Sequence, residues 1–326
     1  MNRWARCASL LLAVGCSVLS SAEAADHPRQ VAVLVDSMVG DANVVRGLSE
    51  RLAAAKLVEG RDVQVVVMSN ELDLARIPAL AQAAVASKPA VIYTTHEVWV
   101  EALKQATTTI PVVFSSVTEP VERGFVRSLA RSGTNMVGVA DRDREVTVKR
   151  VELLREAFPH ARRLMVLGAF NHLSKGDVRA IEEASSRLKF TLIRADISTT
   201  PVAATLANAN GQKPDAILPF GTLDVRPGER GVDTLFEYVN RRKIPVVYSS
   251  SRVAERGGLM SLREDPRDQV RRSTEMVVKI LNGSRPSEMA IDQADKFEFV
   301  INLKVAKQAG FALPPSVLLR ADRVIE

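Results

Sequence analysis

The chain has 326 residues, of which 46% are apolar and 25% are charged, and its formal net charge is +6 at pH 7. This is an ordinary globular composition, and the length is sufficient for two domains that each have a core. Basic and acidic residues are interspersed, as in Arg142-Asp143-Arg144-Glu145. The surplus of positive charge therefore does not indicate a nucleic-acid-binding patch.

The first 24 residues have the features of a secretory signal peptide. Arg3 and Arg6 give a positive start, residues 8–19 are apolar, and residues 22–24 form an A-x-A cleavage pattern. The apolar run is too short to span a membrane. We therefore expect an exported protein.

Both cysteines, Cys7 and Cys16, lie in this leader. The exported chain then has none, which excludes disulfides, zinc thiolates and a cysteine nucleophile. Export without cysteine is consistent with a bacterial periplasm. Ala13-Val14-Gly15-Cys16 loosely matches a lipobox, so a lipid anchor at Cys16 remains an alternative to cleavage near Ala24.

From Asp26 onward, short β-branched runs alternate with helical patterns of apolar residues. The predicted strands are 31–35, 63–67, 90–93, 112–114, 136–139, 164–167, 190–193, 216–218, 246–248, 258–262 and 297–301, and the clearest helices are about 43–57, 72–87, 145–158, 267–281 and 303–309. Strands that alternate with helices are typical of parallel sheets covered on both faces. The segment after Pro314-Pro315 has no strong pattern.

Two stretches of the chain repeat each other. Residues 110–116 (IPVVFSS) are matched by 244–250 (IPVVYSS), and each copy follows a Lys-Pro run, at 88–92 and 213–217. A proline that opens a β-branched run, closed by two serines, indicates a buried strand whose carboxyl end leads into a loop. The repeat predicts an α/β protein with two Rossmann-like lobes, parallel sheets and a ligand cleft at the carboxyl ends of the strands.

No low-complexity linker separates the two predicted lobes, so we expect strand-like crossovers near Gly138, Leu262 and Phe299. Three close crossings form a hinge. The predicted organisation is a signal peptide at 1–24, a first lobe at 25–138 plus about 263–299, and a second lobe at 139–262 plus about 300–326.

Polar side chains follow most of the predicted strands and are the candidate ligand-binding residues. Hydroxyls, amides and the N–H groups of helix starts suit a small polar or zwitterionic ligand, and Asp36 could receive an ammonium group. The alternative is that the serines and threonines cap helices; Thr94 with Glu97 fits a capping box. The candidates are Asp36, Ser37, Thr94, Thr95, His96, Ser115, Ser116, Glu119, Phe170, Asn171, Gly221, Thr222, Ser249 and Ser250.

Glu119 stands before Pro120, whose missing N–H suits the first position of a helix. Glu119 is then the predicted N-cap, where a Glu fits poorly and its carboxylate extends toward the cleft mouth. There it would recognise a cationic group or repel anionic ligands. The alternative is a solvated carboxylate that interacts weakly with the helix dipole.

No enzymatic motif is evident in the sequence. His96 is the only histidine near the proposed cleft, and Val100 stands where a zinc-protease motif requires its second histidine. G-x-S-x-G, P-loop and dinucleotide-binding fingerprints are absent from the sequence. We therefore expect no catalytic residue, no metal site and no cofactor.

Several runs resemble bacterial ABC transporter substrate-binding proteins of the type I periplasmic class, in the group that includes tryptophan- and tyrosine-type uptake proteins. The similar runs are 296–304, 306–307, Gly310, 314–315 and 319–325 in the tail, with 128–131, Asn135, Gly138 and 257–261 before it. The resemblance extends over essentially the whole mature chain. Two runs depart from the family: Thr118-Glu119-Pro120-Val121 replaces Thr-Asp-Pro-Val, and Thr94-Thr95-His96-Glu97 replaces a loop of small residues.

The resemblance implies the type I periplasmic binding protein fold. It also implies a receptor that closes on a small molecule, an amino acid or related small carboxylate, and delivers it to an ABC permease in the inner membrane. Such a protein would be a periplasmic monomer with no nucleic-acid partner. A sensing domain that reports ligand state to a membrane signalling partner is the alternative in the same fold.

Overall fold

Parallel strand pairing dominates the computed structural model of the chain, which describes residues 28–38, 41–220, 223 and 230–326. The predicted signal peptide with Cys16 lies outside these residues, and so do Gly221 and Thr222. The strands are β1 (Arg29–Val35), β2 (Val63–Ser69), β3 (Val91–Thr94), β4 (Val112–Thr118), β5 (Met136–Asp141), β6 (Arg163–Gly168), β7 (Thr191–Asp196), β8 (Ala216–Pro219), β9 (Val247–Tyr248), β10 (Met260–Glu264), β11 (Asp292–Gln293), β12 (Phe297–Asn302) and β13 (Arg323–Ile325).

Helices connect most of these strands. They are α1 (Ala42–Ala54), α2 (Ile77–Ala86), α3 (Glu97–Ala106), α4 (Asp143–Ala157), α5 (Lys175–Arg187), α6 (Val202–Ala209), α7 (Gly231–Arg242), α8 (Ser251–Glu255), α9 (Pro266–Leu281), α10 (Leu303–Ala309) and α11 (Pro315–Leu319). The 3₁₀ turns are Leu74–Arg76, Phe170–His172, Asn210–Gln212 and Pro286–Glu288.

The first sheet has the strand order β11-β5-β4-β3-β1-β2, and all of its pairs are parallel. Its central strands are buried apolar runs, as in β1, where every residue of 31–35 is fully buried. Such continuous runs are typical of parallel strands with helices on both faces. Helix α1 packs against α9, and α2 packs against α3. We call this sheet with α1–α3 and α9 the first lobe.

The second sheet is built from β7-β6-β8 and β9-β10-β12-β13, joined by a parallel bridge between Ile217 and Val246. Strand β12 runs antiparallel to β10, and the other pairs are parallel. Apolar residues of 146–262 and of the chain after 297 fill its two core clusters. We call this sheet with α4–α8, α10 and α11 the second lobe.

The chain passes between the lobes at three places: between β5 and α4, between β10 and α9, and between β11 and β12. Backbone N–H groups link these connections. Arg142 N–H donates to Glu264 Oε1 at 2.9 Å, Asp265 N–H donates to the Lys296 carbonyl at 2.8 Å, and Ala294 N–H donates to the Ala140 carbonyl at 3.2 Å. The predicted fold class, with two lobes joined by three crossovers, is confirmed. The residue boundaries of the lobes stay a prediction.

The internal repeat corresponds to equivalent strands in the two lobes, as predicted. Strand β4 pairs with β3, which follows the first Lys-Pro run, and Val246 bridges to β8, which follows the second. Lys88 and Lys213 share left-handed φ angles of 49° and 50°. The repeat therefore extends from sequence to backbone conformation.

Candidate functional site

The carboxyl ends of β1, β3 and β4 bring most first-lobe candidates to one edge of the sheet. These strands are neighbours in the order β4-β3-β1, and Thr94 is in register with both Leu34 and Phe114. Asp36 and Thr95 come directly after β1 and β3, and Ser115 comes directly after Phe114 within β4. The sequence prediction that these residues share one edge is consistent with this register, and their contacts with a ligand stay a prediction.

Asp36 is half-buried and has partners within its own lobe. Its Oδ1 accepts a hydrogen bond from Trp99 Nε1 at 2.7 Å, and its Oδ2 lies 3.5 Å from His96 Nε2. Trp99 is fully buried, so its indole N–H needs an acceptor. The backbone N–H groups of Asp36 and Ser37 both donate to Asp41 Oδ2 at 3.1 Å. Asp36 thus positions α3 and keeps further lone pairs for a ligand.

Thr94 does not form the capping box that its spacing to Glu97 suggested. Its hydroxyl donates to the Leu34 carbonyl at 3.0 Å, and the N-cap of α3 is His96, which makes no side-chain capping bond. Thr95 is buried, and its hydroxyl has no hydrogen-bond partner among the residues that the structure describes.

Ser115 and Ser116 face different partners. Ser115 contacts the buried Tyr93 hydroxyl, which also lies 2.9 Å from Ser273 Oγ; burial raises the pKa of Tyr93. Ser116 has a φ of 53°, at an irregularity in the pairing of β4. Its hydroxyl donates to Gln269 Oε1 at 2.9 Å. Helix α9 therefore holds β4 at the irregularity in its pairing.

Glu119 is not a helix N-cap, so that prediction is wrong. The residues after Pro120 form a turn closed by Arg123 N–H and the Glu119 carbonyl at 3.0 Å, and Glu119 itself has a φ of 50°. The Glu119 carboxylate instead meets the second lobe, because its Oε1 lies 3.0 Å from Arg144 Nη2. The side chains at this point connect the two lobes.

The second-lobe candidates Phe170 and Asn171 have neighbours within their own lobe. The Phe170 ring contacts the Phe220 ring edge-on, with 4.9 Å between the ring centroids. The Arg194 guanidinium lies 4.0 Å from the centroid of the Phe170 ring. Asn171 is exposed, and its Oδ1 accepts from Ser198 Oγ at 3.0 Å.

The other second-lobe candidates follow β8 and β9. Ser249 and Ser250 are half-buried, and Ser250 is the N-cap of α8 without a side-chain capping bond. Gly221 and Thr222 fall outside the described residues. Their part in ligand binding stays a prediction.

Sequence reasoning missed a set of carboxylates at the hinge. Burial raises the pKa of Asp141 well above its usual range, and the charges of Glu264 and Asp143 raise it further. Burial also raises the pKa of Glu264. Asp141 lies two residues beyond the end of the predicted strand 136–139, so the strand-end rule could have found it. Gln269, which donates to Asp141 Oδ1 through Nε2, carries no signal in the sequence.

Among the described residues, no cluster of three or more His, Asp or Glu side chains is arranged to hold a metal ion. Within the same ranges, no helix has both the length and the apolar content that crossing a bilayer requires.

The chain matches known proteins over nearly its whole described length. Residues 30–325 match the family model "ABC transporter substrate binding protein". A tyrosine-binding protein of Clostridioides difficile strain R20291 is 23% identical over 260 residues, which are 79% of this chain and 73% of that protein.

Solved structures share the fold. The ABC domain of Streptococcus pneumoniae in complex with L-Trp is 23% identical, with a TM-score of 0.78 over 91% of this chain and 100% of that one. A ligand-free, open substrate-binding protein with adhesive properties from Clostridium difficile is 22% identical, with a TM-score of 0.70 over 91% and 99% of the two chains. The chain therefore belongs to the family of ABC transporter substrate-binding proteins, which are extracytoplasmic, bind a small-molecule ligand and work with an ABC transporter.

Proposed function

We propose that this protein closes its two lobes on an amino acid or a related small carboxylate and delivers it to an ABC permease. The observation that carries the proposal is the row of polar groups at the carboxyl ends of β1, β3 and β4, beside the ion pair of Glu119 and Arg144 that bridges the lobes. The tyrosine-binding relative and the L-Trp complex support an amino-acid ligand.

Asp36 gives this site its charge preference. Its carboxylate receives the ligand ammonium group in addition to the Trp99 indole, since an ionised carboxylate has about four lone-pair positions. Hydroxyls and amide groups at the neighbouring strand ends contact the ligand carboxylate. Contacts made from both lobes stabilise the closed form more than the open form, so ligand binding shifts the population toward closure.

The proposal includes export by the signal peptide at 1–24, with cleavage near Ala24 or a lipid anchor at Cys16, and action as a monomer. It excludes catalysis, because the family is one of binding proteins and the sequence has no catalytic motif. In this proposal the chain crosses between the two lobes at the three connections that form the hinge.

Thermal unfolding in the presence of each proteinogenic amino acid tests the ligand class. A ligand at 100 times its Kd stabilises the folded state by about 2.7 kcal/mol, so L-Tyr or L-Trp should raise the Tm measurably and remain chemically unchanged. If no amino acid or small carboxylate raises the Tm, the ligand class is wrong. Cross-linking to a permease, rather than to a signalling kinase, then separates transport from sensing.

A further inference from the structure

A chain of side-chain hydrogen bonds runs from the end of β4 to the hinge. Ser116 Oγ donates to Gln269 Oε1 at 2.9 Å, and Gln269 Nε2 donates to Asp141 Oδ1. Gln269 is 3% exposed, so water does not compete for these bonds. The position requires a side chain that accepts on one side and donates on the other, which an amide does.

At its first end, this series of hydrogen bonds holds a strained residue. Ser116 adopts a φ of 53° where the β4–β5 register shifts between Phe114 and Val117. A non-glycine residue in this region is strained and persists only when its surroundings hold it. The hydrogen bond that Ser116 donates to Gln269 is one such restraint, and it acts on a serine at the candidate ligand edge.

At its other end, the series of hydrogen bonds reaches two of the three connections between the lobes. Asp141 ends β5 directly before the first connection, and Gln269 lies in the first turn of α9, which follows the second connection. Glu264, at the end of β10, accepts the N–H of Arg142 at 2.9 Å. A movement of the lobes that changes these connections must therefore act on Gln269.

The charged groups that face Asp141 come from two further elements. Glu264 and Arg263 approach from β10, and Asp143 approaches from α4; of these, only Arg263 favours the ionised carboxylate. The Gln269 amide also favours the ionised form by donating to it. Burial and the charges of Glu264 and Asp143 outweigh the effects of Arg263 and the Gln269 amide, so the pKa of Asp141 is raised.

We propose that Gln269 is a positioning residue that couples ligand contact at Ser116 to the hinge, through its simultaneous bonds to Ser116 and Asp141. The proposal rests on the proposed function in one respect, that Ser116 lies at the ligand site. The coupling itself is a property of the empty protein. It can therefore be measured without a ligand.

Hydrogen exchange of the ligand-free protein is the first test. Gln269→Met keeps the length and the burial of the side chain but removes both donor and acceptor. We expect faster exchange at two separate places, the N–H groups of Ser116 and Val117 and that of Arg142, which donates to Glu264. Thr274→Val is the matched control, because Thr274 is also fully buried in α9 but donates only to the Val270 and Arg271 carbonyls of its own helix.

Gln269→Glu adds a readout that a merely structural role would not change. A protonated glutamic acid donates and accepts as the amide does, whereas an ionised one only accepts and repels Asp141. Exchange is compared as protection factors, each relative to the intrinsic rate at the same pH. We therefore expect wild-type protection at both places at about pH 5 and lower protection than wild type at about pH 8.5. Gln269→Met should be less protected than wild type at both pH values. Lower protection confined to α9, or protection in Gln269→Glu that differs from wild type by the same factor at both pH values, would overturn the proposal.

Ligand binding is the second test, with L-Tyr and L-Trp as probes. Gln269→Glu should bind about tenfold more weakly than wild type at about pH 8.5, equivalent to about 1.4 kcal/mol, and regain affinity at about pH 5. Thr274→Val should bind as wild type does. If wild type binds no amino acid, the proposed ligand class fails, and the exchange experiment still decides the coupling. If wild type binds and Gln269→Glu binds equally at both pH values, the coupling fails and the ligand class stands.

Discussion

Arg144 joins the two lobes through Glu119, with 3.0 Å between Nη2 of the arginine and Oε1 of the glutamate. Its Nε also donates to Asp177 at 2.9 Å, and Asp177 forms the capping box of α5 with Ser174. A helix start of the second lobe thus fixes the guanidinium that meets the first lobe. Gly176 leaves the necessary space, because a Cβ there would lie 2.7 Å from Arg144 Nη2.

The first prediction concerns Glu119→Gln. The two side chains are about one-third exposed, at 32% and 31%, so solvent screens the pair and its contribution is at most about 1 kcal/mol. If the pair favours the closed lobes, the variant should bind ligand about two- to fivefold more weakly in low salt. The difference should disappear at about 1 M salt, where the Debye length is about 3 Å.

Calorimetric titration with the best amino-acid ligand measures this effect. Glu183→Gln is the matched control, because its ion pair with Arg179 lies within α5 and connects no lobes. Equal affinity of Glu119→Gln and wild type at low salt would contradict a role in closure.

The second prediction concerns Asp36. Asp36→Asn keeps an oxygen that accepts from Trp99 but removes the charge for a ligand ammonium group, so affinity should fall more than tenfold, or about 1.4 kcal/mol, with little change in Tm. Asp36→Ala also leaves the buried indole N–H without its acceptor. Its unfolding free energy should fall by about 1–3 kcal/mol. Affinity by titration and Tm by calorimetry separate these roles, and full affinity in Asp36→Asn would assign Asp36 to the packing of α3 alone.

The third prediction concerns pH and Asp141. A carboxyl group whose pKa is raised by folding binds its proton more tightly in the folded state. The usual pKa of an aspartate is about 3.9. As pH rises from that value through the raised pKa, Asp141 ionises less readily in the folded state than in the unfolded state, so the unfolding free energy falls. Asp141→Asn should remove this loss and be more stable than wild type at neutral pH. Denaturant unfolding across the pH range measures both effects.

Asp196 provides a control of opposite sign. Partial desolvation acts to raise the pKa of the exposed Asp196, but hydrogen bonds from Ser198 and from the Phe170 N–H outweigh it and lower the pKa. Its contribution to stability is present above the usual carboxyl pKa and is lost as pH falls through the lowered value. Asp196→Asn should therefore be less stable than wild type at neutral pH. If Asp141→Asn behaves in the same way, the hinge carboxylate is ionised and stabilising at neutral pH.

The sequence was informative where a short stretch sets the structure. The β-branched runs with Pro111 and Pro245 located buried strands of both sheets, because parallel strands covered on two faces must be apolar throughout. The rule that ligand groups follow strand ends placed Asp36, Thr95 and Ser115 on neighbouring strands. Both inferences depend on local pattern and on general rules of sheet topology.

The incorrect or missed predictions concern residues whose conformation or partners are set by tertiary contacts. Pro120 suits a helix start, but the following residues close into a turn at Gly124, whose φ is 66°. The contacts of Gln269 and Arg144 cross more than 20 residues of chain, so no periodicity indicates them. The short strand β13 escaped notice because it lies at the sheet edge, largely exposed, without an alternating pattern.

The last prediction returns to the repeat, in which Tyr248 corresponds to Phe114. The Tyr248 hydroxyl is buried and has no hydrogen-bond partner among the residues that the structure describes. A buried polar group without a partner destabilises the folded state by about 1–3 kcal/mol. Tyr248→Phe, which introduces the residue of the first copy, should therefore leave the unfolding free energy unchanged or raise it. Tyr93→Phe is the matched comparison, because its hydroxyl bonds with Ser273, and its loss should lower stability by about 0.5–1.5 kcal/mol. Denaturant unfolding of both variants decides the matter, and a loss of stability in Tyr248→Phe similar to that in Tyr93→Phe would mean that the hydroxyl is hydrogen-bonded in solution.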